Sequence, residues 1–70
     1  MNANGWVALQ LMIDNSNDGE DRYFTPLETH IDEDSLRSLD VAGVIERTYD
    51  INDGFRFNRK AGIEYLKHKP

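Results

Sequence analysis

Residues 36–57, LRSLDVAGVIERTYDINDGFRF, constrain this chain most, because they set a helix end, a strand, a tight turn and a second strand in quick succession. Leu36 and Leu39 lie three apart, on one inward-facing ridge of a helix. Ala42 and Gly43 close that helix, with Gly43 where a left-handed cap residue is wanted. Val44, Ile45, Thr48, Tyr49 and Ile51 are strand formers, as are Phe55 and Phe57 beyond the turn. Side-chain facing selects the turn. A two-residue Asp53-Gly54 loop would set Asn52 against Phe55 and Asp50 against Phe57, mixing polar and aromatic groups. A three-residue loop, Asn52-Asp53-Gly54, pairs Ile51 with Phe55 and Tyr49 with Phe57 on one face and gives Gly54 the positive-φ bulge position. The three-residue loop is expected.

Upstream, residues 6–13 (WVALQLMI) read as a first helix, with Asn4 as its cap. Trp6, Leu9 and Ile13 form one stripe and Val7 and Leu11 another, so the helix is apolar nearly all round. Val7 and Leu11 are the candidate face for a homodimer. Residues 14–22 (DNSNDGEDR) are polar, and Asp14, Ser16, Asp18 and Gly19 match the opening of an EF-hand loop. Position twelve is Thr25 where a bidentate Glu belongs, so a flexible acidic loop is the expectation and no metal is assigned. Tyr23 and Phe24 suit a short strand packed on the hairpin. Thr25-Pro26-Leu27-Glu28 is a capping box with proline at the first helical position. It opens a brief helix over residues 26–31, after which Asp32 can cap the helix carrying Leu36 and Leu39. Two separate helices and one bent helix both fit that segment. Asn58 caps a last helix over residues 59–69, with Ile63 and Leu66 inward and Tyr65 at the core's edge.

The pattern L-x-x-L-x-x-A-G-x-I-E-R, a hairpin, then F-N-R-K-A-G-I-E-Y-L resembles the second half of a winged helix-turn-helix domain, over residues 25–69. The resemblance implies a small α+β winged helix of three to four helices with a two- to three-stranded antiparallel hairpin as the wing. It also implies that the helix of Leu36 and Leu39 is the surface that DNA-binding relatives insert into the major groove. Other relatives are protein-docking modules and inhibitors, so the fold does not choose the function.

Charge bears on that choice. Residues 1–46 carry ten acids against two bases, −8, and residues 47–70 carry three acids against six bases, +3. The split predicts two separate faces rather than an all-round basic one. With Leu36, Leu39 and Gly43 inward, Asp34, Arg37, Ser38 and Val41 face outward, with Glu33 and Asp40 on the flanks. For DNA, base reading would fall to Arg37 and Ser38, and Arg47, Arg56, Arg59 and Lys60, with Lys67 and Lys69, would meet phosphates. Acids flanking Arg37 oppose this, because each faces phosphate oxygens. A plain surface, with Arg37 paired to Glu33 and Glu64 to Lys60 and His68, is the bland alternative.

Catalysis is not expected. His30 and His68 are isolated from any ligand pattern, and there is no serine elbow, phosphate-cradling glycine loop or cysteine. No cofactor is called for. Seventy residues make one domain, burying only ~60% of the unfolded surface. Without cysteine, a reducing cytoplasm is the simplest home. The apolar run at 6–13 lacks a basic flank and is too short for a signal peptide or a membrane span.

These observations predict a non-catalytic module that docks on a basic protein partner involved in nucleic-acid transactions. Glu33, Asp34, Arg37, Ser38, Asp40 and Val41 are its contact residues. A DNA-binding regulator using Arg37, Ser38, Arg47, Arg56, Arg59 and Lys60 is the alternative.

Overall fold

The computed structural model describes residues 1–48 and 54–70. In chain order it holds α1 (Ala3–Asp14), β1 (Arg22–Phe24), α2 (Pro26–Thr29), α3 (Glu33–Val41), β2 (Ile45–Arg47), β3 (Phe55–Phe57) and α4 (Arg59–Leu66). The strands form an antiparallel sheet in the order β1-β3-β2. This is the small α+β, winged-helix-like layout that the sequence predicts.

Local chemistry sets the helix ends. α1 starts a turn before the expected point, and its cap is Asn2, whose side chain accepts from the Gly5 amide at 2.9 Å. Asn4 instead ties α1 to the chain between α2 and α3. It donates to the His30 carbonyl at 3.1 Å and accepts from the Asp32 amide at 3.2 Å. Asn2 gains the cap because it is held from two sides, donating to Asp32 at 2.9 Å and accepting from the Ser35 hydroxyl at 3.2 Å.

Thr25 caps α2 through the Glu28 amide, with Pro26 in the first turn. Glu28 does not reach back to complete the box; it pairs with Arg22 at 2.7 Å. α2 stops at Thr29, short of the expected end, because His30 turns left-handed at φ 57°. Asp32 then caps α3, so the two helices are separate. α3 ends as its sequence demands. Gly43 sits at φ 77°, its amide reaches the Asp40 carbonyl, and the Val44 amide reaches the Leu39 carbonyl. That double closure is the Schellman arrangement, and it delivers buried Val44 beside Leu39.

The expected hairpin register is overturned. Phe57 lies opposite Ile45, where Tyr49 was expected, and Phe55 lies opposite Arg47, where Ile51 was expected. Sliding a strand by four residues keeps every side chain on its face, so alternation could not separate the two registers. Ile45, which is buried, supplies the apolar neighbour for Phe57. Beyond this ladder, the Thr48 amide donates to the Gly54 carbonyl at 2.9 Å and the Thr48 hydroxyl to the same oxygen at 2.6 Å. Of the expected three-residue turn Asn52-Asp53-Gly54, Gly54 thus bonds to Thr48, while Asn52 and Asp53, with Tyr49 and Ile51, fall outside the described residues.

The core joins Trp6, Ala8, Leu9, Met12 and Ile13 of α1 to Leu36 and Leu39 of α3 and to Phe24, Phe55 and Phe57 of the sheet. Phe24 and Phe57 meet edge to face, 5.9 Å between centroids. α4 seats on this layer through Gly62, since a Cβ there would come within 2.5 Å of the Phe57 ring. Ile63, Tyr65 and Leu66 are only partly buried against the core, with Tyr65 stacked on Trp6 at 5.5 Å. Among the described residues, no helix is long and apolar enough to cross a membrane.

Candidate functional site

Asp32 fixes the start of α3, and the Gly43 closure fixes its end. Between them Ser35, Leu36 and Leu39 are buried, so the opposite face must meet solvent. That face carries Asp34, Arg37, Ser38 and Val41, as the spacing predicts. Val41 is 86% exposed, at a place where a helix of this size would more often carry a polar side chain. It does not stand alone. Asp34, Arg37, Ser38, Val41 and Ala42 of the α3 segment, with Tyr65 of α4, line one shallow groove. Ala42 and Tyr65 also line an adjoining hollow whose far wall holds Lys60, Ala61, Glu64 and His68. Val41, Ala42 and Tyr65 are thus the apolar middle of a surface framed by charge.

The charges divide into those used inside the molecule and those left over. Glu33 binds Arg47 through both guanidinium nitrogens, at 2.7 and 3.4 Å. The Arg47 hydrogen bond holds the Glu33 carboxyl below its ordinary value, against the opposing effect of desolvation, and the charges of Arg47 and Arg37 add to it. Arg37 is therefore not the ion-pair partner of Glu33 that sequence spacing suggested; Arg47, arriving from β2, is closer. Arg56 bridges Glu46 at 2.7 Å and Asp21 at 3.4 Å across the outer face of the sheet. Arg59 pairs with Asp18 and also donates to the Ile13 carbonyl at 3.4 Å. Glu64 takes Lys67 at 3.2 Å rather than Lys60 or His68.

These pairs correct the picture of two separate faces. The basic second half of the chain is laid onto the acidic first half through Arg47–Glu33, Arg56–Asp21 and Arg59–Asp18. Folding joins what the sequence separates. Arg47, Arg56 and Arg59 also sit on different elements with different partners, so they do not gather into one basic patch. Of the candidate nucleic-acid contacts, Arg37 and Lys60 keep side chains without a hydrogen bond or ion pair among the described residues. Ser38 turns its hydroxyl back to the Asp34 carbonyl at 3.1 Å, which directs it to its own helix. In the EF-hand-like loop, Asp14 accepts from Gln10 at 2.9 Å while Asp18 takes Arg59, so those carboxylates serve separate partners.

Around the α3 groove the side-chain carboxylates of Asp34 and Asp40 remain without a donor among the described residues. Tyr65, Ala42 and His68 are site members that sequence reasoning missed. The one available signal was the aromatic Trp6, which draws Tyr65 against α1 and so brings α4 beside the end of α3.

Comparison with protein-family models, with curated proteins and with solved structures returns no match.

Proposed function

We propose that this chain is a non-catalytic binding module, a small acidic regulator or inhibitor of the cytoplasm. It docks through the outer face of α3 on a protein partner with a basic surface, one engaged in nucleic-acid transactions. The observation that carries the reading is the charge left over after folding. Among the described residues Asp34 and Asp40 stay unpaired around exposed Val41, while Arg47, Arg56 and Arg59 are each held by a carboxylate.

An apolar centre inside a polar rim is the arrangement of a protein interface. Carboxylates that are free to act at a distance steer a basic partner and penalise wrong ones. Phosphate binding needs cations that can be surrendered to DNA, and an arginine already held by Glu or Asp must first lose that partner. The winged-helix resemblance keeps a DNA-binding regulator as the rival, with Arg37 its best-placed residue. Self-association through Val7 and Leu11 belongs to another face and is independent of this docking.

The test is capture of a partner from cell extract by wild type, Asp34→Lys/Asp40→Lys, Val41→Glu and Arg56→Glu, beside gel shifts on duplex DNA at low and moderate salt. Glu33 is left intact because it is bound to Arg47 inside the fold. A partner kept by wild type and Arg56→Glu but lost by both α3 variants supports the reading. Salt-sensitive DNA binding by wild type that vanishes in Arg37→Glu overturns it.

A further inference from the structure

We propose that a second copy of this chain docks antiparallel along the outer face of α1, so that Asp14 of each copy pairs with Lys69 of the other. The face is a groove lined by Trp6, Val7, Gln10, Leu11, Asp14 and Lys69. Val7 is 67% exposed, and Leu11, partly covered within the chain, borders it in the same groove.

The groove has a direction. α4 runs antiparallel to α1, because Arg59 at its start donates to the Ile13 carbonyl while Tyr65 near its end stacks on Trp6. Lys69, four residues beyond Tyr65, therefore lies at the Trp6 end. Asp14 closes α1 at the opposite end, about 10 Å along the axis from Val7 at 1.5 Å per residue. A cation stands at one end, an anion at the other, and two aliphatic side chains lie between them.

Such a groove is complementary to itself. A two-fold axis passing between Val7 and Leu11 sets Val7 of one copy against Leu11 of the second and reverses the polarity, bringing each Asp14 to a Lys69. A partner of uniform charge would be attracted at one end and repelled at the other. Both groups can take the role. Asp14 uses one carboxylate oxygen for Gln10 and keeps the second, and the Lys69 ammonium has no hydrogen bond among the described residues. One helix face is small against the ~1,200 Å² at the lower limit of stable interfaces, so the dimer forms at high protein concentration and dissociates on dilution.

The experiment is sedimentation of the whole chain from low to high micromolar concentration, at low salt, with melting curves as a folding control. Wild type is expected to show a reversible monomer–dimer equilibrium, and Val7→Glu to remain monomeric. Exposed ion pairs are weak, but two form per dimer, so Asp14→Lys and Lys69→Glu should each raise the dimer Kd about two- to thirtyfold. Combining the two swaps restores opposite charges and should bring Kd back close to wild type. Wild type that stays monomeric throughout overturns the proposal, as does a double swap that associates no better than the single ones. Neither result bears on docking through α3, whose residues lie on another helix.

Discussion

Replacing Gly62 by alanine sets two known effects against each other, and the geometry says which wins. In the middle of an isolated helix the change would stabilise by about 0.8–1 kcal/mol, through better helix propensity. Here the new methyl carbon would stand 2.5 and 2.7 Å from two atoms of the Phe57 ring and 3.4 Å from Leu9. Ordinary carbon contacts are about 3.5–4.0 Å, so the ring would have to withdraw by roughly 1 Å. It has nowhere to go. Phe57 is fully buried, sits on the central strand between Arg22 and Ile45, and is wedged edge-on by Phe24. Overpacking of this kind costs about 1–3 kcal/mol, and a rigid wall argues for the upper half of that range. The net is a loss of about 1–2 kcal/mol, which for a chain of this size lowers Tm by about 4–16 °C. Thermal unfolding followed by circular dichroism reads it directly. A Gly62→Ala variant that melts with or above wild type would refute the tight seating of α4 on Phe57.

Phe57→Ala removes the ring instead and should cost about 3–5 kcal/mol, enough to leave the chain largely unfolded at room temperature in the same assay. Gly43→Ala forces a side chain into the left-handed cap and should cost about 1–2 kcal/mol by chemical denaturation. Acid should destabilise the fold through Asp32, whose carboxyl is held low by hydrogen bonds from Ser35 and Asn2, and through Glu33, held low by Arg47. A depressed folded-state value means that the stabilisation is full above the ordinary carboxylate range and fades as pH falls through the folded-state values. Melting temperature should therefore drop below about pH 4, and Asp32→Ala should flatten that decline.

Signals that act within a few residues were legible in the sequence. The caps by Thr25, Asp32 and Asn58, the glycine closure at Gly43 and the inward ridge of Leu36 and Leu39 each rest on neighbours in the chain, and the structure has them all. The start of α1 was misplaced because Asn2 owes its role to Asp32 and Ser35, about thirty residues away. The hairpin register failed for a related reason. Alternation fixes which face Phe55 and Phe57 share, but the choice of Ile45 as neighbour to Phe57 is made by the packing of the whole core. At the site, the outward set Asp34, Arg37, Ser38 and Val41 followed from helical period alone. Tyr65 did not, because its place beside α3 depends on stacking against Trp6.

Pairing changes what the net charge of this chain can mean. Five of the ten acids in the first half, Asp18, Asp21, Glu28, Glu33 and Glu46, are spent on arginines. They are exposed or half-exposed pairs, worth little each, and salt weakens them together. Raising ionic strength would thus loosen the internal pairs and screen Asp34 and Asp40 at once, so salt sensitivity alone does not distinguish docking from loss of fold. Charge reversal does. Asp34→Lys and Asp40→Lys touch no internal pair among the described residues, and their effect on a partner reports the α3 surface itself. Glu33→Lys has a different signature, since it removes a carboxylate bound to Arg47 and places a new cation near Arg37 and Arg47 at the start of α3. If carboxylates at this face are what exclude DNA, that substitution should raise duplex affinity more than Asp40→Lys does. Equal gains from the two would mean that only net charge matters and that the position of Glu33 beside Arg47 does not.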